Sequence, residues 1–263
     1  MHAASQVRDH AELLNAQVFG NPHSASPSST EMTQRVERAR AAVLAYFHAA
    51  GEYTAVFTLN ASGAIKLVAE AYPFEPGSSL LMTADNHNSI NGMREFARAK
   101  GARVDYATLT RPDLRIDGAE MAARLALAEP RHDHLLAFPA QSNFSGVKHP
   151  LALIGQAQAA GWHVLLDAAA FVPTNRLDLS SVKPDFVSVS FYKMFGYPTG
   201  VGALIARRGA LEKLQRPWFA GGTITVASVQ GDKYYLAEGA AAFEDGTIDY
   251  LNIPAIEIGL KHI

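Results

Sequence analysis

Short apolar runs alternate with amphipathic stretches along most of the chain. The apolar runs are continuously hydrophobic, which is typical of strands that are covered on both faces, as in a parallel sheet. They predict six strands, at residues 54–58, 79–83, 102–107, 134–139, 162–167 and 185–190. Helices are predicted between them, at residues 64–72, 90–100, 118–128 and 151–160. Repeated strand-helix-strand units favour an α/β fold with right-handed crossovers.

The two ends of the sequence carry helical patterns of their own. The capping-box pattern Ser28-Ser29-Thr30-Glu31 predicts a helix that begins there and runs to about Phe47. At the other end, "IPAIEIGLKHI" places Ile256, Leu260 and Ile263 on one helical face, and the sequence stops without a capping residue. We therefore expect the chain to be cut inside a helix.

Composition narrows the class of protein. The 263 residues suffice for one large core, and a net charge of −2 without a basic cluster argues against a nucleic-acid partner. With no cysteine, the chain has no disulfide, thiolate metal site or cysteine nucleophile. No apolar run reaches the ~18–20 residues of a membrane span, and the N-terminus does not resemble a signal peptide. We expect a cytoplasmic protein that does not enter a membrane.

Polar residues of particular types follow the predicted strands. Asp167 ends one apolar run, Lys193 follows another, and Asn143 and His87 lie just after two more. Because ligands bind at the carboxyl ends of strands in open α/β sheets, these side chains are candidates for one site. Each alone has a more ordinary interpretation, such as a turn, a helix cap or a surface lysine.

Together, these residues fit pyridoxal 5'-phosphate (PLP), which needs an amine, an acid at the pyridine nitrogen and a cradle for its phosphate. The turn from Asn60 to Gly63 opens a predicted helix, whose N-terminal amide groups suit a phosphate. Further donors are available, and these are Ser62, Ser190 and Thr223. The apolar approach to Lys193 predicts a desolvated amine, which remains a nucleophile near neutral pH.

The segment "SVSFYKMFGYPTGVGAL" (residues 188–204) resembles the lysine signature of class V PLP enzymes, the cysteine desulfurases among them. The sequence more closely resembles the amino-terminal domain of molybdenum cofactor sulfurases. The shared segments are "FGNPHS" (19–24), "NFSG" (143–146), "LLDAAAFV" (165–172), "SFYKMFGYPTG" (190–200) and "FEDGT" (243–247).

This resemblance implies the large domain of PLP fold type I, a mostly parallel central sheet with helices on both faces. Residues 1–50 would be its N-terminal segment and helix, and residues 51–263 the PLP-binding part, ending inside the linking helix. The small C-terminal domain would be missing. The resemblance also implies a homodimer with shared sites.

The resemblance further implies a role for each candidate residue. Lys193 would form the Schiff base, Asp167 would contact the pyridine nitrogen, His87 would stack on the ring, and Asn143 would lie beside the ring hydroxyl. The phosphate would be held by Ala61, Ser62 and Ser190, and in the neighbouring subunit by Gly222 and Thr223.

Several positions depart from the family pattern. Tyr192 precedes the lysine where many desulfurases have His, although the sulfurases share this tyrosine, and Ala170 stands where desulfurases often have Gln. The family histidine could align with Asn86 instead of His87. The cysteine that carries sulfur in these enzymes has no counterpart in the chain.

The implied activity is a PLP-dependent transformation of an amino acid through an external aldimine, with Lys193 moving the Cα proton. L-Cysteine is the favoured substrate, with the sulfur-carrying cysteine outside this chain. One alternative is a class V aminotransferase, lyase or epimerase without sulfur transfer, and another is a non-catalytic PLP-binding remnant. A dinucleotide-binding site at Gly200-Val201-Gly202 is rejected, because that pair of glycines precedes a strand and not a helix.

Overall fold

A seven-stranded sheet lies at the centre of the fold in a computed structural model of the protein, which describes residues 3–22 and 24–263. The strands are β1 (Tyr53–Thr58), β2 (Ser79–Thr83), β3 (Arg103–Ala107), β4 (His134–Pro139), β5 (Trp162–Asp167), β6 (Phe186–Ser190) and β7 (Gly202–Arg207). The six strands predicted from apolar runs are confirmed to within one residue at each end.

The sheet order is β1-β7-β6-β5-β4-β2-β3. Neighbouring strands from β6 to β3 are parallel, whereas β7 runs antiparallel to both β1 and β6. The carboxyl ends of β1, β2, β4, β5 and β6 therefore lie at one edge of the sheet. The loops that leave these ends carry the candidate residues, apart from Gly222 and Thr223.

Helices cover both faces of this sheet. They are α1 (Ala4–Ala16), α2 (Pro27–Tyr46), α3 (Ala61–Ala71), α4 (Asn88–Asn91), α5 (Met93–Ala99), α6 (Gly118–Leu125), α7 (Ala152–Ala159), α8 (Phe191–Phe195), α9 (Arg208–Leu211) and α10 (Pro254–Leu260), with a 3-10 helix at Gly239–Phe243. Among the described residues, no helix has the length and apolar character that crossing a membrane requires.

Two hydrophobic clusters fill the space between the sheet and its helices. Along β4, Leu136 and Phe138 belong to one cluster and Leu135 and Ala137 to the other. Every residue of β4 is buried and all but His134 are apolar, as expected for a strand with helices on both sides. The mostly parallel α/β architecture predicted from the sequence is confirmed.

The structure corrects the predicted bounds of several helices, among them α3, which begins at Ala61 and not at residue 64, and α6, which ends at Leu125 and not at residue 128. Helix α2 begins at Pro27 because Ser26 is its N-cap, with Ser26 Oγ accepting from Ser29 N at 3.3 Å, and the proline occupies the first helical position. The predicted helix at residues 90–100 is divided into α4 and α5 at Gly92. Helix α10 ends at Leu260, so the expected helical face does not extend to Ile263, which is exposed.

Candidate active site

A cleft of about 240 Å³ opens at the carboxyl edge of the sheet. It contains seven of the nine residues that the sequence analysis assigns to the site: Ala61, Ser62, His87, Asn143, Asp167, Ser190 and Lys193. Further lining residues include Asn60, Ser89, Gln141, Ala170 and Tyr192. The convergence of these loops follows from the parallel strands β2, β4, β5 and β6, whose carboxyl ends are adjacent.

The start of α3 forms one wall of the cleft. Asn60 caps this helix, with its Oδ1 accepting from Gly63 N at 2.9 Å, and Ala61 N donates to Ser190 Oγ at 2.8 Å. Since Ser190 Oγ accepts this bond, its own proton is available to an anion. The amide of Ser62, between these two bonded amides, lies in the first turn, where a helix supplies no internal acceptor.

Gly202 lets this wall approach the sheet closely. A Cβ atom at Gly202 would lie 2.6 Å from the Cα and C atoms of Asn60 and 2.6 Å from Val189 O. A glycine is therefore needed at the first residue of β7 for the Asn60 backbone to pass over it.

His87 lies on the cleft and joins a chain of hydroxyl groups. Its Nδ1 accepts from Ser89 N at 3.1 Å and lies 3.0 Å from Ser89 Oγ, which in turn lies 2.5 Å from Ser62 Oγ. In the neutral ring the proton is therefore on Nε2. Asn86 is buried below, where its Nδ2 donates to Thr83 O and Ala137 O, so His87 is the residue that lines the cleft.

Asp167 is a nearly buried carboxylate at the end of β5, with 7% of its surface exposed. Its Oδ1 accepts from Ala169 N at 3.0 Å and from Ser188 Oγ at 3.1 Å. Within the described residues, Oδ2 has no hydrogen-bond partner. Asp167 therefore offers one fixed oxygen to the sheet and one free acceptor to a ligand.

Lys193 lies on α8, immediately after β6, and lines the cleft. Its side chain is exposed, and its Nζ makes no hydrogen bond or ion pair with the described residues. The expectation of a desolvated amine is therefore wrong for the chain alone. The apolar run before Lys193 forms the buried strand β6, whereas Lys193 lies on an exposed position of the following helix α8.

Asn143 is exposed on a turn beside the cleft. Ser142 Oγ holds this turn by accepting from the amides of Phe144 and Ser145, both at 3.3 Å. These bonds hold the backbone of the turn at the cleft.

Gly222 and Thr223 lie outside this cleft. Thr223 is fully buried, and its Oγ1 donates to Ala220 O at 2.8 Å and accepts from Ala220 N at 2.9 Å. Their assignment to a neighbouring subunit's phosphate site stays a prediction.

The sequence analysis missed Ser89, whose hydroxyl links His87 to Ser62. A signal was available, since Ser89 follows His87 by two positions in the same loop.

The residues present fit the three polar requirements of PLP. Among the residues that the structure describes, the Lys193 amine and Asp167 Oδ2 have no partner, and the α3 amides with the hydroxyls of Ser62 and Ser190 form an anion cradle.

Comparison with known proteins gives the family. The family model described as Aminotransferase class-V matches residues 2–263. The chain belongs to this family. Its members include PLP enzymes of the type that the lysine segment resembles, so the resemblance is confirmed at the level of the family.

Curated relatives include molybdenum cofactor sulfurases. The one from Homo sapiens is 38% identical over 280 residues, which cover 100% of this chain and 31% of the relative. The one from Bos taurus is 40% identical over 278 residues, which cover 98% of this chain and 30% of the relative. The chain thus spans about a third of the length of these relatives.

Solved structures with the same fold include cysteine desulfurases. The apo enzyme from Thermococcus onnurineus NA1 matches with a TM-score of 0.87 and 24% identity, over 100% of this chain and 64% of that one. The desulfurase CsdA from Escherichia coli matches with a TM-score of 0.80 and 25% identity, over 98% of this chain and 64% of that one.

Proposed function

We propose that the cleft binds PLP covalently through Lys193 and that the chain is the cofactor-binding part of a cysteine desulfurase or molybdenum cofactor sulfurase. The proposal is supported chiefly by one observation. Lys193, a buried Asp167 with only Oδ1 hydrogen-bonded among the described residues, and the anion cradle all line one cleft. The similarity to molybdenum cofactor sulfurases over the whole chain supports it.

Each side chain has a stated task in this proposal. Asp167 Oδ2 would accept from the protonated pyridine nitrogen, and the buried bonds to Oδ1 keep the carboxylate oriented. The Ser62 amide and the Ser190 hydroxyl would hold the phosphate, His87 would cover the ring, and Asn143 would lie beside the ring hydroxyl. When bound, PLP supplies an electron sink for the substrate Cα. Lys193 Nζ removes and returns the Cα proton.

Covalent attachment is tested on the purified chain with added PLP. We expect a visible absorbance band, and borohydride treatment followed by peptide mass spectrometry should place the reduced adduct on Lys193. Lys193→Ala should abolish the adduct. Lys148→Ala is the matched control, because Lys148 is also exposed and lies on the turn beside the cleft. An adduct that persists in Lys193→Ala would overturn the proposal.

The proposed substrate is L-cysteine. Its sulfur would leave for a thiol, giving alanine and a persulfide, so that the thiol gains one sulfur atom and the Cβ–S bond is replaced by C–H. Since the chain contains no cysteine, the acceptor thiol must come from outside it.

Product analysis with dithiothreitol as the acceptor distinguishes the activities. Alanine and sulfide in equal amounts support sulfur transfer. Pyruvate with ammonia would indicate a lyase, a keto acid without sulfide an aminotransferase, and a racemised substrate an epimerase. An adduct on Lys193 with no product from any amino acid would indicate a non-catalytic PLP-binding protein.

We further infer a homodimer in which the hairpin of strands β8 (Ile224–Ala227) and β9 (Tyr234–Leu236) meets a second copy. Support comes from its exposed apolar side chains, which include Val226, Tyr235 and Leu236. Such a patch is typical of an interaction surface. Sedimentation velocity tests this inference, and Tyr235→Lys should shift a dimer towards the monomer. A parent chain that sediments as a monomer at micromolar concentration would refute it.

A further inference from the structure

A buried pair of titratable side chains lies beneath the cleft and is not used by the proposed chemistry. His149 Nε2 lies 2.8 Å from Asp85 Oδ2, and the two side chains are 0% and 3% exposed. Neither residue lines the cleft. The pair joins two loops that do line the cleft, and it can therefore set the distance between them.

Asp85 and His149 belong to the loops that leave the neighbouring strands β2 and β4. Asp85 lies two residues before His87, in the loop that reaches the cleft from β2. His149 closes the turn that carries Asn143, and His149 N donates to Ala140 O at 3.0 Å. The pair therefore connects the His87 side of the cleft with the Asn143 side.

A second contact joins the same two loops. Ser142 Oγ, which holds the Asn143 turn, also lies 3.4 Å from Asp85 O and donates to it. Asp85 thus contacts the Asn143 turn through its carboxylate and through its backbone. These two contacts fix the separation of the loops at two points.

The pair is a poor device for stability alone. Within the described residues, Asp85 Oδ1 and His149 Nδ1 are buried without a hydrogen-bond partner. Buried polar pairs of this kind are often replaced by apolar side chains without loss of stability, whereas they can select one arrangement among several. Burial raises the pKa of Asp85, but the hydrogen bond and charge of His149, together with the nearby hydroxyls of Thr83 and Ser142, outweigh it and leave that pKa below its usual value.

We propose that Asp85 and His149 are positioning residues that set the spacing between His87 and Asn143 and thereby the affinity of the cleft for the PLP ring. This inference rests on the proposed PLP site. Groups that orient metal-ligating side chains typically change affinity by about 10- to 100-fold when removed, and we expect a loss of PLP affinity in that range.

The decisive variant is the double substitution Asp85→Leu with His149→Phe, which removes the pair without leaving a buried charge. It should keep the melting temperature of the PLP-free chain while raising the dissociation constant for PLP about 10- to 100-fold. The visible circular dichroism of bound PLP should change as well, because it reports the orientation of the ring.

The matched control is His134→Phe. His134 is a buried histidine with an unpartnered Nδ1, but it lies at the first residue of β4, at the edge of the sheet opposite to the cleft. It should leave the PLP dissociation constant and the dichroism unchanged. If the double variant binds PLP with the affinity and dichroism of the parent, the positioning role is wrong.

Single substitutions decide the matter if the double variant does not fold. His149→Ala should weaken PLP binding, and His149→Gln should restore it, because the Gln Nε2 group can donate to Asp85. Equal affinities of these two variants would overturn the proposal. A parent chain that binds no PLP would instead refute the proposed function, so the two failures are distinguishable.

Discussion

Gly202→Ala should displace the phosphate cradle at the start of α3 while the overall fold is retained. The added Cβ would lie 2.6 Å from the Asn60 backbone and 2.6 Å from Val189 O, and ordinary contact begins at 3.4 Å. Each of these two contacts must therefore lengthen by about 0.8 Å. Val189 pairs with Ala203 of β7 inside the sheet, whereas Asn60 is the N-cap of α3, so the larger movement is expected at Asn60.

Two consequences follow from a shift of this size. Overpacking costs about 1–3 kcal/mol, which for a chain of this length lowers the melting temperature by roughly 2–12 °C. The amides of Ala61 and Ser62 move with Asn60, and the loss of one hydrogen bond to a charged phosphate costs about 1.5–3 kcal/mol. We therefore expect the PLP dissociation constant to rise about 10- to 100-fold, measured by absorbance titration below the melting temperature of the variant.

Gly155→Ala is the matched control for this substitution. Gly155 lies inside α7, and a Cβ atom there meets nothing within 4 Å. Replacement of a helical glycine by alanine should stabilise the fold by about 1 kcal/mol and leave PLP binding unchanged. The reasoning is refuted if Gly202→Ala binds PLP as tightly as the parent, because the close approach would then not set the cradle.

Two further predictions concern stability. Glu244 is buried, and its carboxylate lies 2.7 Å from Arg40 Nη1, so Arg40→Met removes its positively charged partner and should lower the free energy of unfolding in urea by about 3–5 kcal/mol. Lys261→Met breaks an exposed ion pair and should change this free energy by less than about 1 kcal/mol. Similar losses in both variants would contradict the argument. Burial lowers the pKa of His163 in the folded chain. Below the ordinary histidine pKa of ~6.5, the unfolded chain therefore binds more protons than the folded chain, and the melting temperature should fall as the pH drops below that value. His163→Gln should flatten this dependence between about pH 5 and 7, and an unchanged slope would exclude His163 as its source.

Strands and most helices could be predicted because burial on both faces requires continuous apolar runs. Helix α1 could not be predicted in this way, since its buried residues are Gln6 and His10. Their side chains bond to Tyr197 and to Leu251 O, which lie far away in the sequence. Hydrophobic periodicity carries no signal for a helix that is anchored by polar contacts.

The hairpin of β8 and β9 escaped prediction for a different reason. Its strands are mostly exposed, so neither strand has the alternation of apolar and polar residues that marks one buried face. The pairing of the two strands, and not burial, defines them.

At the candidate site, the sequence predicted residue types but not their surroundings. The apolar run of β6 predicted a desolvated Lys193, yet hydrophobicity reports the burial of the strand and not of the side chain that follows it. The link between Ser62 and Ser89 depends on two loops that approach each other in the fold, and no local pattern encodes such an approach.

Some cleft residues are held by hydrogen bonds and Lys193 is not, which indicates that PLP binds to the cradle before it is attached to the lysine. Ser190 and Asp167 are fixed by buried hydrogen bonds, whereas Lys193 is exposed and has no partner among the described residues. A cradle that exists before the ligand arrives needs no help from the lysine to hold a phosphate. Lys193→Ala should therefore retain PLP non-covalently, while Ser190→Ala should lower the affinity and still give the covalent adduct at high PLP concentration. Ultrafiltration of both variants with PLP measures the bound fraction without borohydride. Complete loss of binding in Lys193→Ala would show that attachment, and not the cradle, supplies the affinity.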